Sequence, residues 1–342
     1  MLNLIHNSES DAAHQPGKEP VRRLMFASRS RVTEAVFTTM LGTRADAMRH
    51  NLADNVYVAL LIQSGWFMEW IEGPETGVQA LLTRVLADFR HHSAHVLHES
   101  DGARRLTEPW SMAMVQTHES EADFGNRVLA LHEEHCQGHR HEPTAVWRRL
   151  STPQTHPGAA DQAIEWNFQR VMVVAALGTD AFNMVRWLGE THAADVVHRR
   201  FVGSSEQYGD VATDYVDLPT GIVVRRVIAM SQNGLKIGLT RAFMSDYSHV
   251  IVLLSGIPGR DHSLLERLLS ACAELTHRPT LVGVGPTADH HVSLRQLARS
   301  HDQVYVDCEI PDETGSEARW AAAQRVLDQE LTGSEMGTVR VA

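Results

Sequence analysis

Trp66-Phe67-Met68-Glu69-Trp70-Ile71-Glu72-Gly73-Pro74 governs the reading of the first half of the chain, because Ser64-Gly65 and a second β-rich run, Asn55 to Gln63, stand immediately before it. Two such runs separated by two turn residues predict a hairpin. Outward from it, Glu72-Gly73-Pro74 reads as the turn and N-cap region of an amphipathic helix from Glu75 to Asp88. Upstream, a strand over Arg23 to Ser28 precedes a helix over Thr33 to His50, whose apolar positions are Val36, Met40, Leu41, Ala47 and Met48. Downstream come a short strand at His95 to His98, an apolar segment at Trp110 to Gln116 and a helix from Glu119 to Arg140. Together these elements describe an α+β unit on a small sheet.

The second half has a different pattern. Ser151 to Ala160, with Pro153, Pro157 and Gly158, has the composition of a linker. Beyond it the uninterrupted apolar runs Val171 to Ala176, Val250 to Leu254 and Thr280 to Val284 predict strands buried on both faces, hence a mostly parallel α/β sheet. Helices are read at His262 to Leu275, His291 to Ser300 and Ser316 to Leu331. The expected organisation is a disordered arm (1–20), an α+β domain with C-terminal helices (21–145), a linker (146–168), an α/β domain (169–333) and a tail (334–342).

Composition narrows the function. The 342 residues suit about two domains, and 31 Lys plus Arg against 42 Asp plus Glu give a net charge of −11, the wrong sign for binding nucleic acid through its phosphates. The three cysteines, Cys136, Cys272 and Cys308, form neither a zinc pattern nor a disulfide framework, which suits a reducing cytoplasm. No run of about 20 apolar residues is present to insert in a membrane, and the N-terminal residues lack a signal-peptide core.

Four ordered motifs carry a family resemblance over residues 22 to 117. They are Arg23-Leu24-Met25-Phe26-Ala27-Ser28-Arg29, Phe67 to Pro74, Asp88-Phe89-Arg90-His91-His92-Ser93 and Trp110-Ser111-Met112. In these the segment resembles the BLUF family, small α+β (ferredoxin-like) domains that bind flavin and sense blue light. The resemblance implies a flavin pocket at Phe26, His50, Asn51, Glu69, Trp110 and Met112. The family's photocycle uses a Tyr and a Gln where this chain has Phe26 and Glu69, and Phe has no hydroxyl while Glu has no amide donor. With Tyr57 and Val58 adding bulk at the second strand, the expectation is loss of flavin and no cofactor. Retained Trp110 and Met112 then serve as core residues.

Residues from about 169 to 332 resemble a Ras-type small GTPase in the order of elements and in the phrases Thr213-Asp214-Tyr215-Val216-Asp217, Leu239-Thr240-Arg241-Ala242-Phe243 and Val250 to Leu254. That resemblance implies a phosphate-binding turn of the form Gly-x-x-x-x-Gly-Lys-Ser/Thr. The chain instead reads Gly178-Thr179-Asp180-Ala181-Phe182-Asn183-Met184-Val185. Met184 cannot neutralise phosphate and Val185 cannot ligate magnesium. The magnesium motif becomes Ser231-Gln232-Asn233-Gly234, and Leu235 stands where a water-orienting Gln is usual. The guanine motif becomes Gly285-Pro286-Thr287-Ala288, with Asp289 one place late. The expected domain is a pseudo-GTPase that neither binds GTP tightly nor hydrolyses it.

The chain has 21 histidines, so clusters arise by chance. His132, His135 and Cys136 share a helix face that zinc could use, and the bland alternative is a solvated helix end. The cluster His91, His92, His95 and His98 is a weaker metal candidate still, and no metal is expected at either. The reading is therefore a non-catalytic cytoplasmic signalling or scaffold protein whose partner is another protein, a signalling component or a second copy of the chain. A flavin photoreceptor with altered chemistry and an atypical GTPase are the alternatives. Phe201 to Asp217 and Ser231 to Phe243, including Tyr208, Tyr215 and Arg241, are expected to carry a constitutive interface with a partner or with the BLUF-like unit.

Overall fold

A computed structural model describes residues 20–153, 168–220, 223–285, 288–310 and 315–338. The first half comprises β1 (Val21–Ser30), α1 (Val36–Leu41), α2 (Arg44–Ala53), β2 (Tyr57–Gln63), β3 (Trp66–Gly73), α3 (Glu75–Leu86), β4 (His91–Gly102), β5 (Trp110–Gln116), α4 (Glu121–Cys136) and α5 (Pro143–Ser151). The second comprises β6 (Phe168–Ala175), α6 (Asp180–His192), β7 (Val197–Val202), β8 (Asp210–Pro219), β9 (Val224–Met230), α7 (Gly238–Ala242), β10 (His249–Leu253), α8 (Pro258–Cys272), β11 (Thr280–Gly285), α9 (Ala288–Ser300), β12 (Tyr305–Glu309) and α10 (Ser316–Thr338).

The predicted hairpin forms as read. Ser64 and Gly65 take left-handed backbone, φ 48° and 75°, the turn geometry whose twist matches two antiparallel strands. Gln63 then faces Trp66 and the register runs on to Tyr57 opposite Glu72. The predicted helix over Thr33 to His50 is two helices, because the chain turns at Gly42 and Thr43. The strand predicted at His95 to His98 extends over all of β4.

One twelve-stranded sheet runs through both halves in the order β12-β11-β10-β6-β9-β8-β7-β5-β2-β3-β1-β4. It is mixed: antiparallel around β1, β3 and β4, and parallel from β9 through β6, β10 and β11 to β12. The second half is mostly parallel as expected, with β7, β8 and β9 pairing antiparallel. The join is β5 against β7, with Met112 opposite Val202 and Gln116 opposite His198. An edge that would otherwise expose unpaired N–H and C=O groups is satisfied within the chain.

Two observations revise the expected boundary between domains. The linker expected over 146–168 begins inside α5, whose Val146, Trp147 and Leu150 are buried in a cluster shared with Trp70, Leu239 and Leu268. Trp147 lies 6.2 Å from Trp70 and 6.3 Å from Phe243, and those two rings are 6.2 Å apart. One core therefore spans both halves on that side of the sheet. The tail expected from 334 starts within α10. The rest of the expected linker, residues 154–167, and the arm up to residue 19 lie outside the described residues. No helix among the described residues is long and apolar enough to cross a membrane.

Candidate functional site

Sheet register assembles the first site. Phe26 on β1 stands opposite Glu69 on β3, Glu69 opposite Leu60 on β2, Leu60 opposite Met112 on β5, and Met112 opposite Val202 on β7. Residues opposite one another share a face, so this row leads from the would-be flavin site straight into the second half. Phe26 is buried with Leu24, Val58, Ile71, Val78 and Leu81, the last two from α3. Trp110 and Met112 pack with Phe37, Leu60, Phe67 and Val202. Asn51, at the end of α2, is also buried; its Nδ2 donates to the Pro109 carbonyl at 2.9 Å, and its Oδ1 has no partner. The structure thus brings Phe26, Asn51, Glu69, Trp110 and Met112 to one face. His50 does not join them: it is exposed and its Nδ1 lies 2.8 Å from the Asp46 carbonyl one turn earlier. Nor does Tyr57 crowd this face. Its alternation with Val58 puts it on the opposite side, under the Arg104 guanidinium at 4.2 Å.

These residues do not fit the light chemistry of a bound flavin. Phe26 offers neither electron-donating phenol nor hydrogen bond, and Glu69 has no amide to exchange donor for acceptor: ionised it only accepts, and protonated it donates a single O–H. Glu69 is partly buried, and burial, aided by Asp88 and opposed by Arg90, pushes its carboxyl up to about 7. A carboxyl raised in the fold above its ordinary 4.5 takes up a proton on folding between those values. Stability is then lowest above pH 7 and rises as pH falls toward 4.5. Glu69→Gln is expected to flatten this slope in urea unfolding at pH 5.5 and 8, and to stabilise the protein at pH 8 by on the order of 1–3 kcal/mol, allowing for residual solvation. A slope unchanged by the substitution would place the titrating group elsewhere.

At the second site, Gly178 has left-handed backbone (φ 63°) after β6, and α6 starts at Asp180. Met184 and Val185 are fully buried against Val173 and Ile251, so the positions matching the phosphate lysine and hydroxyl serve the core. Asn183 turns its amide to Thr179 Oγ1 at 3.4 Å. Three internal contacts tie down the elements around these positions. Asp180, at the start of α6, pairs with Arg319 of α10 at 2.6 Å. Gln232 donates to the Ala175 and Ala176 carbonyls at the end of β6 and accepts from Arg267 at 2.8 Å. Asp261, fully buried in α8, accepts from Ser255 Oγ and from the Ser255 and Gly256 amides, and lies 2.7 Å from His290 Nε2 on α9. Ser231 precedes a 3-10 turn, Gln232–Lys236, in which Gly234 and Leu235 are buried; a Cβ on Gly234 would come 2.7 Å from the Met230 side chain. Gly285 ends β11, Asp289 is exposed on α9, and Pro286 and Thr287 lie outside the described residues.

The expected interface residues need correction. Tyr215 is fully buried on β8 between the Arg199 and Arg226 guanidiniums, so it cannot anchor an outside partner. Arg241 is partly buried and bonds the Leu235 carbonyl at 3.2 Å. Tyr208 belongs to a 3-10 turn, Glu206–Tyr208. The two segments do contact the first half. Glu108, between β4 and β5, accepts from the Ser204 amide at 2.9 Å and from the Gly238 amide at 2.6 Å, and Ser204 Oγ donates to the Trp110 carbonyl at 2.7 Å. Sequence reading missed Glu108, Asp261, His290 and Arg319, because each acts through a tertiary partner rather than a motif.

His132 Nδ1 lies 2.7 Å from the Val96 carbonyl on β4, its ring 5.2 Å from that of His95, and Cys136 Sγ 3.8 Å from its Nε2, while His135 points toward the Arg140 side. Among the described residues no three His, Cys, Asp or Glu side chains are arranged to hold a metal.

Residues 21–113 match the family described as sensors of blue-light using FAD, BLUF. No curated protein matches the chain. Solved structures similar to it include the photo-activated state of BlsA, 17% identical over 32% of this chain and 78% of that one with a TM-score of 0.27. BlrB, a BLUF protein in its dark state, is 23% identical over 35% and 87%, with a TM-score of 0.26. Klebsiella pneumoniae BlrP1 with manganese and cyclic diGMP is 12% identical over 83% and 74%, with a TM-score of 0.25. The domain assignment rests on the family match.

Proposed function

We propose that this chain, whose residues 21–113 form a BLUF domain, is a non-catalytic cytoplasmic signalling adaptor in which that domain has lost its photochemistry and is fused to a Ras-type pseudo-GTPase unit. The observation that carries the reading is the Phe26–Glu69 cross-strand pair, which stands where the family's Tyr and Gln would face each other. Strand order supports the Ras-type unit. Counted from β6 and passing over β7, the strands lie second, third, first, fourth, fifth, sixth, with only the second and third antiparallel. Loss of nucleotide handling is supported by Asp180–Arg319, Gln232–Arg267 and Asp261–His290, internal partnerships at or beside the positions matched to the nucleotide motifs. Protein contact is supported by the exposed apolar side chains Leu52 and Leu86, which flank in sequence the Asp54–Arg84 ion pair joining the end of α2 to α3, and by Phe89, exposed in the turn after α3. The partner is another signalling protein or a second copy of the chain.

The test is thermal melting of the full chain with millimolar GTP or ATP and magnesium. A ligand at about a hundred times its dissociation constant adds about 2.7 kcal/mol of stability. No shift is expected, and heat denaturation is expected to release no nucleotide. A clear rise in melting temperature would restore the GTPase reading. A second reading, flavin held without the family photocycle, is favoured by one observation, the buried and unpartnered Asn51 Oδ1. Stoichiometric flavin in the purified protein would select it.

A further inference from the structure

A small cavity of about 60 Å³ lies where the two halves meet, between α5, β8, β9 and the residues around α7. Its wall is unusual in charge: Arg148, Arg170, Arg199 and Arg226 all reach it. Asp246 holds Arg148, and Asp217 holds Arg226 through two bonds of 2.7 Å. Arg199 has neither an ion pair nor a hydrogen bond among the described residues; it lies over the Tyr215 ring at 4.5 Å, with the Arg226 guanidinium 4.4 Å from the same ring. Desolvation lowers the Arg199 pKa, opposed by Tyr215, Tyr247 and the Asp217 carboxylate and reinforced by the like charge of Arg226. A cation withdrawn from water without a counterion is costly, and proteins supply a partner for it.

Independent of charge, two threonines line the same space. Thr213, 1% exposed, and Thr240, 4% exposed, both line the cavity, and the Oγ1 of each is buried without a hydrogen-bond partner. Buried polar atoms without partners are rare enough to require a reason. Size then selects the ligand. A water position needs roughly 10–15 Å³, so the cavity admits about four to six, close to the heavy-atom count of a tetrahedral oxyanion and far below that of a nucleotide.

From these features we infer that the cavity is a binding site for a single small oxyanion of the phosphate and sulfate class, held by Arg199 with the Thr213 and Thr240 hydroxyls. Because Arg148 of α5 lines the cavity beside Arg199 of β7, the bound anion sits at the junction of the two halves. The site is separate from the loops discussed as a vestigial nucleotide site.

Isothermal titration of the full chain with inorganic phosphate, and in parallel with sulfate, acetate and GTP at matched ionic strength, tests it. Saturable binding of phosphate or sulfate is expected, with affinity reduced at least tenfold by Arg199→Met and by Thr240→Val, and unchanged by Arg260→Gln at an exposed position. Arg199→Met removes a largely buried cation that makes no ion pair among the described residues and is expected to fold; if it does not, Thr240→Val alone decides. No saturable phosphate or sulfate binding, binding undiminished in both site variants, preference for acetate, or GTP bound in place of phosphate would each overturn the proposal.

Discussion

Trp147→Ala is expected to destabilise the whole chain by about 3–5 kcal/mol, as truncation of buried aromatic side chains does. Trp147 is 3% exposed and joins Trp70 of the BLUF domain to Phe243 of the second half, and each aromatic pair adds about 0.5–1.5 kcal/mol beyond the area it buries. Against a usual stability of 5–15 kcal/mol this is a large share. The form of the loss matters as much as its size. With one core and the β5–β7 ladder shared, urea unfolding of the parent is expected to be a single transition, and Trp147→Ala is expected to move its midpoint without splitting it. Two transitions in the parent, only one of them displaced by the substitution, would mean that the halves fold as separate domains.

The second large effect is a gain. Phe26→Tyr with Glu69→Gln restores a phenol and an amide at directly opposed positions, yet the double variant is expected to remain dark-silent with added flavin. Val58 packs in the same cluster as Phe26, beneath α3. Adding Val58→Ala opens that cluster at a cost of about 1–3 kcal/mol and is expected to yield bound flavin and a light-induced spectral change. The comparison of double and triple variants by visible spectroscopy separates missing chemistry from missing space. A light response already present in the double variant would show that bulk at Val58 plays no part.

Much of this was legible where local signals were strong. Ser64-Gly65 gave the hairpin, Trp110 to Gln116 is β5 to the residue, and the apolar runs became β6, β10 and β11. The row from Phe26 through Glu69 and Met112 followed from motifs in a known order. What stayed hidden depends on tertiary partners. β7 reads Val197-His198-Arg199-Arg200-Phe201-Val202, and its two arginines mask a strand whose pairing with β5 makes the sheet continuous. α5 begins at Pro143 and ends just before Pro153, so its buried Val146, Trp147 and Leu150 were absorbed into an apparent linker. Tyr215 looked like a surface aromatic because nothing in its neighbourhood announces the two guanidiniums that enclose it. The alternation that puts Val58 toward the Phe26 face and Tyr57 away from it was present in the sequence, and a strict period-two reading of β2 finds it.

Loss of BLUF photochemistry is tested most directly by the light-minus-dark visible difference spectrum of the full chain, purified and then incubated with excess FAD and freed of unbound flavin. A featureless difference spectrum is predicted, because Phe26 supplies no phenol and Glu69 no amide for the family's light-driven rearrangement. A reversible, light-induced red shift in the unmodified protein would contradict the account and make this chain a photoreceptor.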